Sequence, residues 1–283
     1  MCGIAGLWSS KKIETQELYN YGELMINSIL HRGPDQKALW RDDDSNFVIA
    51  HSRLSIIDLS ENGSQPMKSL DGNLVMAFNG EIYNYYEIKK SLYKDFNFKD
   101  WKGNSDTEVL LVGIEKWGLR KTLQKCKGMF AIALWNRRLK KLTLARDRFG
   151  EKPLYWGKVK INNDSDYNIV FSSEISSILS LPGLKKDINY DALGNYFKFG
   201  FIPSPFSIIS GINQLKPGYF VEIHTKDLSS RINNNEEIRW WDIYKMTNKA
   251  FSNQVRYLNP QDEIESILKD VVKDQSNADV PVG

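Results

Sequence analysis

Cys2 is the residue around which the chemistry of this sequence can be built. It stands in the opening run Met1-Cys2-Gly3-Ile4-Ala5-Gly6. With Met1 removed, the thiol and a free α-amine share one α-carbon. An α-amine with a pKa of about 7.7–8.0 can take the thiol proton directly or through a water, so the nucleophile carries its own base. The small side chain of Cys2 suits removal of the methionine before it. Gly3 and Gly6 leave backbone bare for a substrate carbonyl. Thiolate attack on a carbonyl creates an oxyanion, and Asn79-Gly80 offers it a side-chain amide and a backbone N–H. Arg53 has the donor fork that holds a carboxylate bidentately, although pairing with Asp58 accounts for it as well. Asp106 either offsets a helix dipole or presents a carboxylate to an ammonium group. Arg32 in His31-Arg32-Gly33-Pro34-Asp35 is a surface arginine or a clamp for an anion or carbonyl. His51 reads as a hydrogen-bonded structural histidine rather than a base.

These residues fall at the ends of predicted elements. Residues 2–8 form a short apolar strand. Leu18, Tyr21, Met25 and Ile29 are spaced for an amphipathic helix over 16–30. A strand over 46–50 runs into Arg53, and 62–67 is a loop. A strand over 74–78 is ended by Asn79-Gly80, which leaves that pair exposed just before a helix over 86–94. A hairpin at Asn-Gly is set aside because no strand follows. Ser105 and Glu108 fit a capping box that starts a helix at Asp106.

Residues 127–135 are continuously apolar, a strand buried on both faces, and 142–145 return. Cys126 beside them is a packing residue. The charges of 146–152 suggest a buried ion-paired connection or a site wall. A strand over 169–172, a short helix after Ser173, a helix over 190–199 and a strand over 219–223 follow. The stretch 225–238 is polar and loop-like. Pro260 opens an amphipathic helix carrying Ile264, Ile267, Leu268, Val271 and Val272.

Composition removes several classes. The 283 residues, 26% charged and 41% hydrophobic, are ordinary for one or two globular domains. A net charge of +3 argues against nucleic acid or an acidic membrane surface as partner. No apolar run approaches the roughly 18 residues of a membrane span. Residues 1–12 reach Ser-Ser-Lys-Lys too soon for a secretory signal. Two cysteines imply neither a disulfide framework nor a zinc site, so no metal is expected and the cytoplasm is the default compartment.

Taken in order, Met1–Gly6, 31–35, 53–58, 78–84, 105–108 and 145–156 resemble the class II glutamine amidotransferases, specifically the glutamine-hydrolysing asparagine synthetase family. Ser172-Ser173-Glu174 and Phe201-Ile202-Pro203-Ser204-Pro205 add to the match. The resemblance implies an α+β fold, the N-terminal-nucleophile (Ntn) four-layer αββα sandwich, followed by the truncated start of an α/β synthetase domain. It divides the chain into a glutaminase domain, 2–218, and a connecting segment with the incomplete second domain, 219–283. It implies Cys2 as nucleophile and Asn79 and Gly80 as oxyanion hole. Arg53 would hold the glutamine α-carboxylate and Asp106 its α-amino group, with Leu54, Ser55, Ile56, Ile57 and Glu81 completing the pocket. Arg32 and 146–152 would lie near an ammonia exit. No cofactor is implied here; ATP and Mg2+ belong to the absent synthetase domain, which is the expected partner within the same polypeptide. A homodimer stays open. The rivals are an amidotransferase of the same fold acting on a sugar acid or secondary metabolite, an idle glutamine-binding module, and a plain thiol hydrolase.

Overall fold

The computed structural model describes residues 1–162, 166–228, 236–253, 259–276 and 278–281. The first half of the chain supplies β1 (Gly3–Ser9), β2 (Gln36–Asp42), β3 (Phe47–Arg53), β4 (Met67–Lys68) and β5 (Leu74–Ile82). The rest supplies β6 (Gly128–Asn136), β7 (Lys141–Arg146), β8 (Tyr155–Val159), β9 (Asn168–Ser172), β10 (Ile212–Gln214), β11 (Tyr219–His224) and β12 (Glu237–Arg239). They form two antiparallel sheets, in the orders β10-β8-β9-β1-β3-β2 and β12-β11-β7-β6-β5-β4. The early helices are α1 (Thr15–Asn27), α2 (Tyr85–Phe96), α3 (Asp106–Trp117) and α4 (Leu119–Lys125). The later ones are α5 (Ile175–Leu179), α6 (Tyr190–Phe199), α7 (Thr225–Leu228), α8 (Ile243–Asn253) and α9 (Pro260–Gln275).

Three apolar clusters build four layers. Between the sheets, Ile4, Trp8, Phe47, Ile49, Val75, Ala77 and Trp135 interdigitate. The Phe47 and Trp135 rings stack at 4.2 Å, and Trp8 meets Trp135 edge-on at 4.8 Å. The strand period of two sends the alternate residues outward. Ala5, Leu7, Val48 and Ala50 meet Leu18, Met25 and Ile26 of α1 and Ile178 of α5. Met76 and Phe78 meet α2 and α3 through Ile88, Leu92, Leu110 and Leu111. The expected αββα sandwich is therefore the observed fold.

Several expectations are revised. The strand over 74–78 continues to Ile82, so Asn79-Gly80 neither ends it nor lies exposed. Asn79 is 1% exposed, and Gly80 faces Phe130 in the β5/β6 register. Gly6 serves packing rather than substrate approach, because a Cβ there would fall 2.2 Å from the Phe171 ring. The boundary expected after residue 218 falls inside the second sheet: β11 pairs with β7 and buries Val221 and Ile223 between the sheets. Of the polar stretch 225–238, Thr225–Leu228 is helical and Glu237–Arg239 is a strand; 229–235, like Val282 and Gly283 at the end, lie outside the described residues. The apolar face of α9 is exposed at Ile264, Ile267, Leu268, Val271 and Val272. No helix among the described residues is long and apolar enough to cross a membrane.

Candidate active site

One end of the sandwich gathers the start of β1, the ends of β3 and β5, and the first turn of α3. Cys2 shares strand parity with Ile4 and Trp8, so its side chain faces between the sheets. The register Gly3↔Ser52 brings it to Arg53 and Leu54. The Leu54 N–H donates to Sγ at 3.4 Å, and Sγ faces the Leu54 carbonyl at 3.6 Å. Arg32 Nε donates to the Cys2 carbonyl at 3.0 Å, while its Nη1 is held by Glu174 at 2.9 Å. Arg32 is thus a carbonyl clamp, and the carbonyl is that of the cysteine itself. Burial raises the thiol pKa, and the Leu54 hydrogen bond only partly opposes it. A thiol kept protonated in this way needs a base. The amino terminus in this structure is that of Met1, and its pKa is lowered, first by burial and then by Arg32 and Lys152, with Cys2 opposing.

Next to the thiol, β5 exposes a donor. Phe130, opposite Gly80, commits its own backbone groups to Asp147: its N–H donates to Oδ2 (3.1 Å) and its carbonyl accepts the Asp147 N–H (2.9 Å). The N–H groups of Phe78, Gly80 and Ile82 therefore leave β5 on the side away from β6. There β4 has already ended, being paired only with Val75 and Met76. Phe78 N–H is taken by Gln65 Oε1 at 2.7 Å and Ile82 N–H by Asp106 Oδ2 at 2.8 Å. Gly80 N–H, between them, faces the pocket. Asn79 projects to the inner face. Its Nδ2 reaches Ser173 Oγ only at 3.5 Å, and its buried Oδ1 has no partner among the described residues.

The pocket has two charged ends. Arg53 is 6% exposed, and its guanidinium donates to the carbonyls of Ser60 (3.1 Å) and Asp58. The expected alternative, a pair with the Asp58 carboxylate, is not formed; that carboxylate accepts the N–H groups of Ser60 (3.1 Å) and Asn104 (2.8 Å). Gly63 is needed beside the guanidinium, since a Cβ there would fall 2.1 Å from Arg53 Nη2. At the other end Asp106 opens α3 behind the Ser105 cap. The capping box is half formed: Ser105 Oγ accepts the Glu108 N–H (3.3 Å), but Glu108 accepts from Lys102 and Gly103 instead of Ser105. Burial pushes the Asp106 pKa up to about 6 against the N–H bonds from Ile82 and Thr107. Glu81 is raised to about 7 by burial and then by the Asp106 charge, with Lys152 opposing. Two carboxylates short of positive charge form a site for a cation.

The residues so gathered line one cleft, open to solvent on one side. It brings together Cys2, Arg53, Leu54, Ile56, Ile57, Asn79, Gly80, Glu81 and Asp106. Ser55 is not among its walls, because its N–H is turned to Asp35 Oδ2 at 2.7 Å. His51 is structural: 1% exposed, with Nε2 3.1 Å from the Phe78 carbonyl and a pKa lowered by burial to about 4. Met1, Gln65, Thr107 and Lys152 also line the cleft. Lys152 lay in a segment read as an ion-paired connection or site wall. The segment proves to be stitched by charge-to-backbone bonds: Asp147 accepts from Phe149, Glu151 and Lys152 (each 3.0 Å), and Arg146 donates to the carbonyls of Gly150, Lys152 and Leu215 (2.7–2.8 Å). Gln65 was passed over in a loop; no local pattern marks a glutamine that occupies a strand-edge N–H.

Known proteins share this chain's sequence and fold. The chain is 33% identical to asparagine synthetase (glutamine-hydrolyzing) 2 of Bacillus subtilis strain 168, over all of this chain and 36% of that protein. It is 32% identical to asparagine synthetase (glutamine-hydrolyzing) 1 of the same organism, over all of this chain and 41% of the relative. The chain thus spans well under half the length of these relatives. Among solved structures, the glutamine phosphoribosylpyrophosphate amidotransferase of B. subtilis, complexed with ADP and GMP, shares the fold. Its TM-score is 0.57 at 17% identity, over 85% of this chain and 49% of that one. Residues 1–236 match the glutamine amidotransferase domain model, a span that holds every residue of the cleft, and this chain therefore belongs to the glutamine amidotransferase family.

Proposed function

We propose that the cleft binds L-glutamine and that Cys2 hydrolyses its side-chain amide to glutamate and ammonia. The observation that carries this reading is one cleft holding a guanidinium with no carboxylate partner among the described residues, two under-compensated carboxylates and, beside them, a thiol. Arg53 would take the α-carboxylate, and Asp106 with Glu81 the α-ammonium, while Leu54, Ile56 and Ile57 wall the aliphatic part. Cys2 Sγ attacks the amide carbon, and its proton passes to the Cys2 α-amine. The oxyanion is received by Gly80 N–H and Asn79 Nδ2. Collapse of the tetrahedral adduct releases ammonia, which takes the proton from the amine. A water, deprotonated by the same amine, then cleaves the γ-glutamyl thioester and restores the thiol. This scheme requires the loss of Met1, whose sulfur lies 2.8 Å from Lys152 Nζ against the cleft.

For the longer protein to which such a domain belongs, the relatives' names support ammonia transfer to aspartate, giving asparagine. ATP and Mg2+ would serve that second half, and the glutaminase chemistry needs neither. Both cysteines are free, and the cytoplasm is the compartment that would keep Cys2 reduced. The test is glutamate release by wild type and Cys2→Ala, with intact mass fixing the first residue. Wild type starting at Cys2 should turn over. The variant should stay folded and fall by at least about a thousandfold. Comparable turnover by the variant would remove Cys2 from the reaction.

A further inference from the structure

We propose that Asp279 is a positioning residue for the cleft: it holds the Asp58 N–H and thereby sets both charged ends, so that glutamine binding depends on the segment after α9. The inference rests on the glutamine reading of the cleft. Asp279 lies 221 residues from Asp58, yet two hydrogen bonds join its segment to the loop that follows β3. Its N–H donates to the Ile56 carbonyl at 2.9 Å, and its Oδ2 accepts the Asp58 N–H at 2.8 Å. The two bonds bracket Ile57, and both Ile56 and Ile57 line the cleft.

Asp58 passes this restraint on in two directions. It is a non-glycine residue at φ 55°, a conformation that aspartate tolerates when its polar groups are locally bonded. Its carbonyl receives Arg53 Nη2, which sets the guanidinium. Its Oδ2 receives the Asn104 N–H at 2.8 Å, next to the Ser105 cap and Asp106. Arg53 and Asp106 thus meet at one junction, whose remaining polar group, the N–H, belongs to Asp279. The nearer anchor, Asp35 on the Ser55 N–H, lies upstream of Ile56 and leaves the Ile56 carbonyl and the Asp58 N–H to Asp279. Lifting α9 and the residues behind it would break both Asp279 bonds together.

The experiment compares Asp279→Ala and Asp279→Asn with wild type in the full chain. Alanine should raise KM for glutamine about tenfold, the worth of one charge-assisted hydrogen bond, with kcat changed less than about threefold. Asparagine keeps an acceptor oxygen and should recover most of the loss. A merely structural residue would lower the thermal midpoint without this split between KM and kcat. Amide exchange supplies a readout independent of turnover: in Asp279→Ala, peptides covering 54–60 and 102–106 should both exchange faster. Wild type that releases no glutamate overturns the glutamine reading, with the exchange result still deciding the junction. An active Asp279→Ala with wild-type KM, or unchanged exchange in either peptide, overturns the role of Asp279.

Discussion

Arg53 and Asp106 face the same cleft, yet the fold treats their charges differently. The guanidinium is buried but solvated by protein, since two main-chain carbonyls accept its protons. A guanidinium, unlike a carboxylate, keeps its charge throughout the working pH range. The carboxylates at the other end are kept partly against their will, with Asp106 at about 6 and Glu81 at about 7. With glutamine bound as proposed, the end that meets its carboxylate is therefore built in advance, whereas the end that meets its ammonium holds its charge only as solvent protons allow. A zwitterion entering this cleft meets one fixed contact and one that its own ammonium completes.

The comparison breaks most severely at Arg53. Arg53→Ala should raise KM for glutamine by about 10²–10³-fold, as expected when one partner of a buried charge pair is removed. It should also destabilise the fold, because the Asp58 and Ser60 carbonyls lose their donor. Steady-state kinetics and a thermal melt read both effects, and an unchanged KM would end the assignment of Arg53 to the carboxylate.

Asp106→Asn should move the two measurements apart. KM should rise by about 10–100-fold through loss of the ammonium partner, while stability above pH 6 should increase. The sign follows from the raised pKa. Between the unfolded value near 3.8 and the folded value near 6, the folded chain binds the extra proton, so stability falls as pH rises through that window. Above it the ionised Asp106 costs the fold up to roughly 3 kcal/mol, which the amide avoids. A variant that is both weaker in binding and less stable at pH 8 would contradict this picture.

The smallest effect is in the pH profile. As pH falls below about 6–7, protons compete with the substrate ammonium, and KM should climb by about tenfold per unit. Arg53→Ala should leave that slope intact, and Asp106→Asn should flatten it. A flat wild-type profile would mean that the acids do not hold the ammonium.

What the sequence revealed depended on the range over which each signal acts. Cys2, Arg53 and the cap at Ser105 are local, and their segments were found. The apolar periods of α1 and β6 gave the layers their elements. Other features depend on partners distant in the chain. β2 is a charged strand at a sheet edge, half covered along most of its length, so its alternation is weak. β8 begins at Tyr155, just past the charged stretch 146–152 that masks its start. Asn79-Gly80 was taken for a strand end because a helix, not a second strand, follows it; the pairing with 130–131 of β6 carries β5 on through both residues. The strand over 219–223 was found, but the boundary drawn after 218 left it outside the second sheet; its place between β7 and β12 is set by sheet pairing alone.

The brevity of β4 has an effect beyond the cleft. A strand with a row of free N–H groups can recruit an extended segment from another chain. Along the open stretch of β5, Gln65 and Asp106 occupy the donors on either side of Gly80, so no two successive ladder positions are vacant. A single free donor cannot template a strand. The side chains that isolate Gly80 N–H, the proposed donor to the oxyanion, also keep this edge from seeding aggregation.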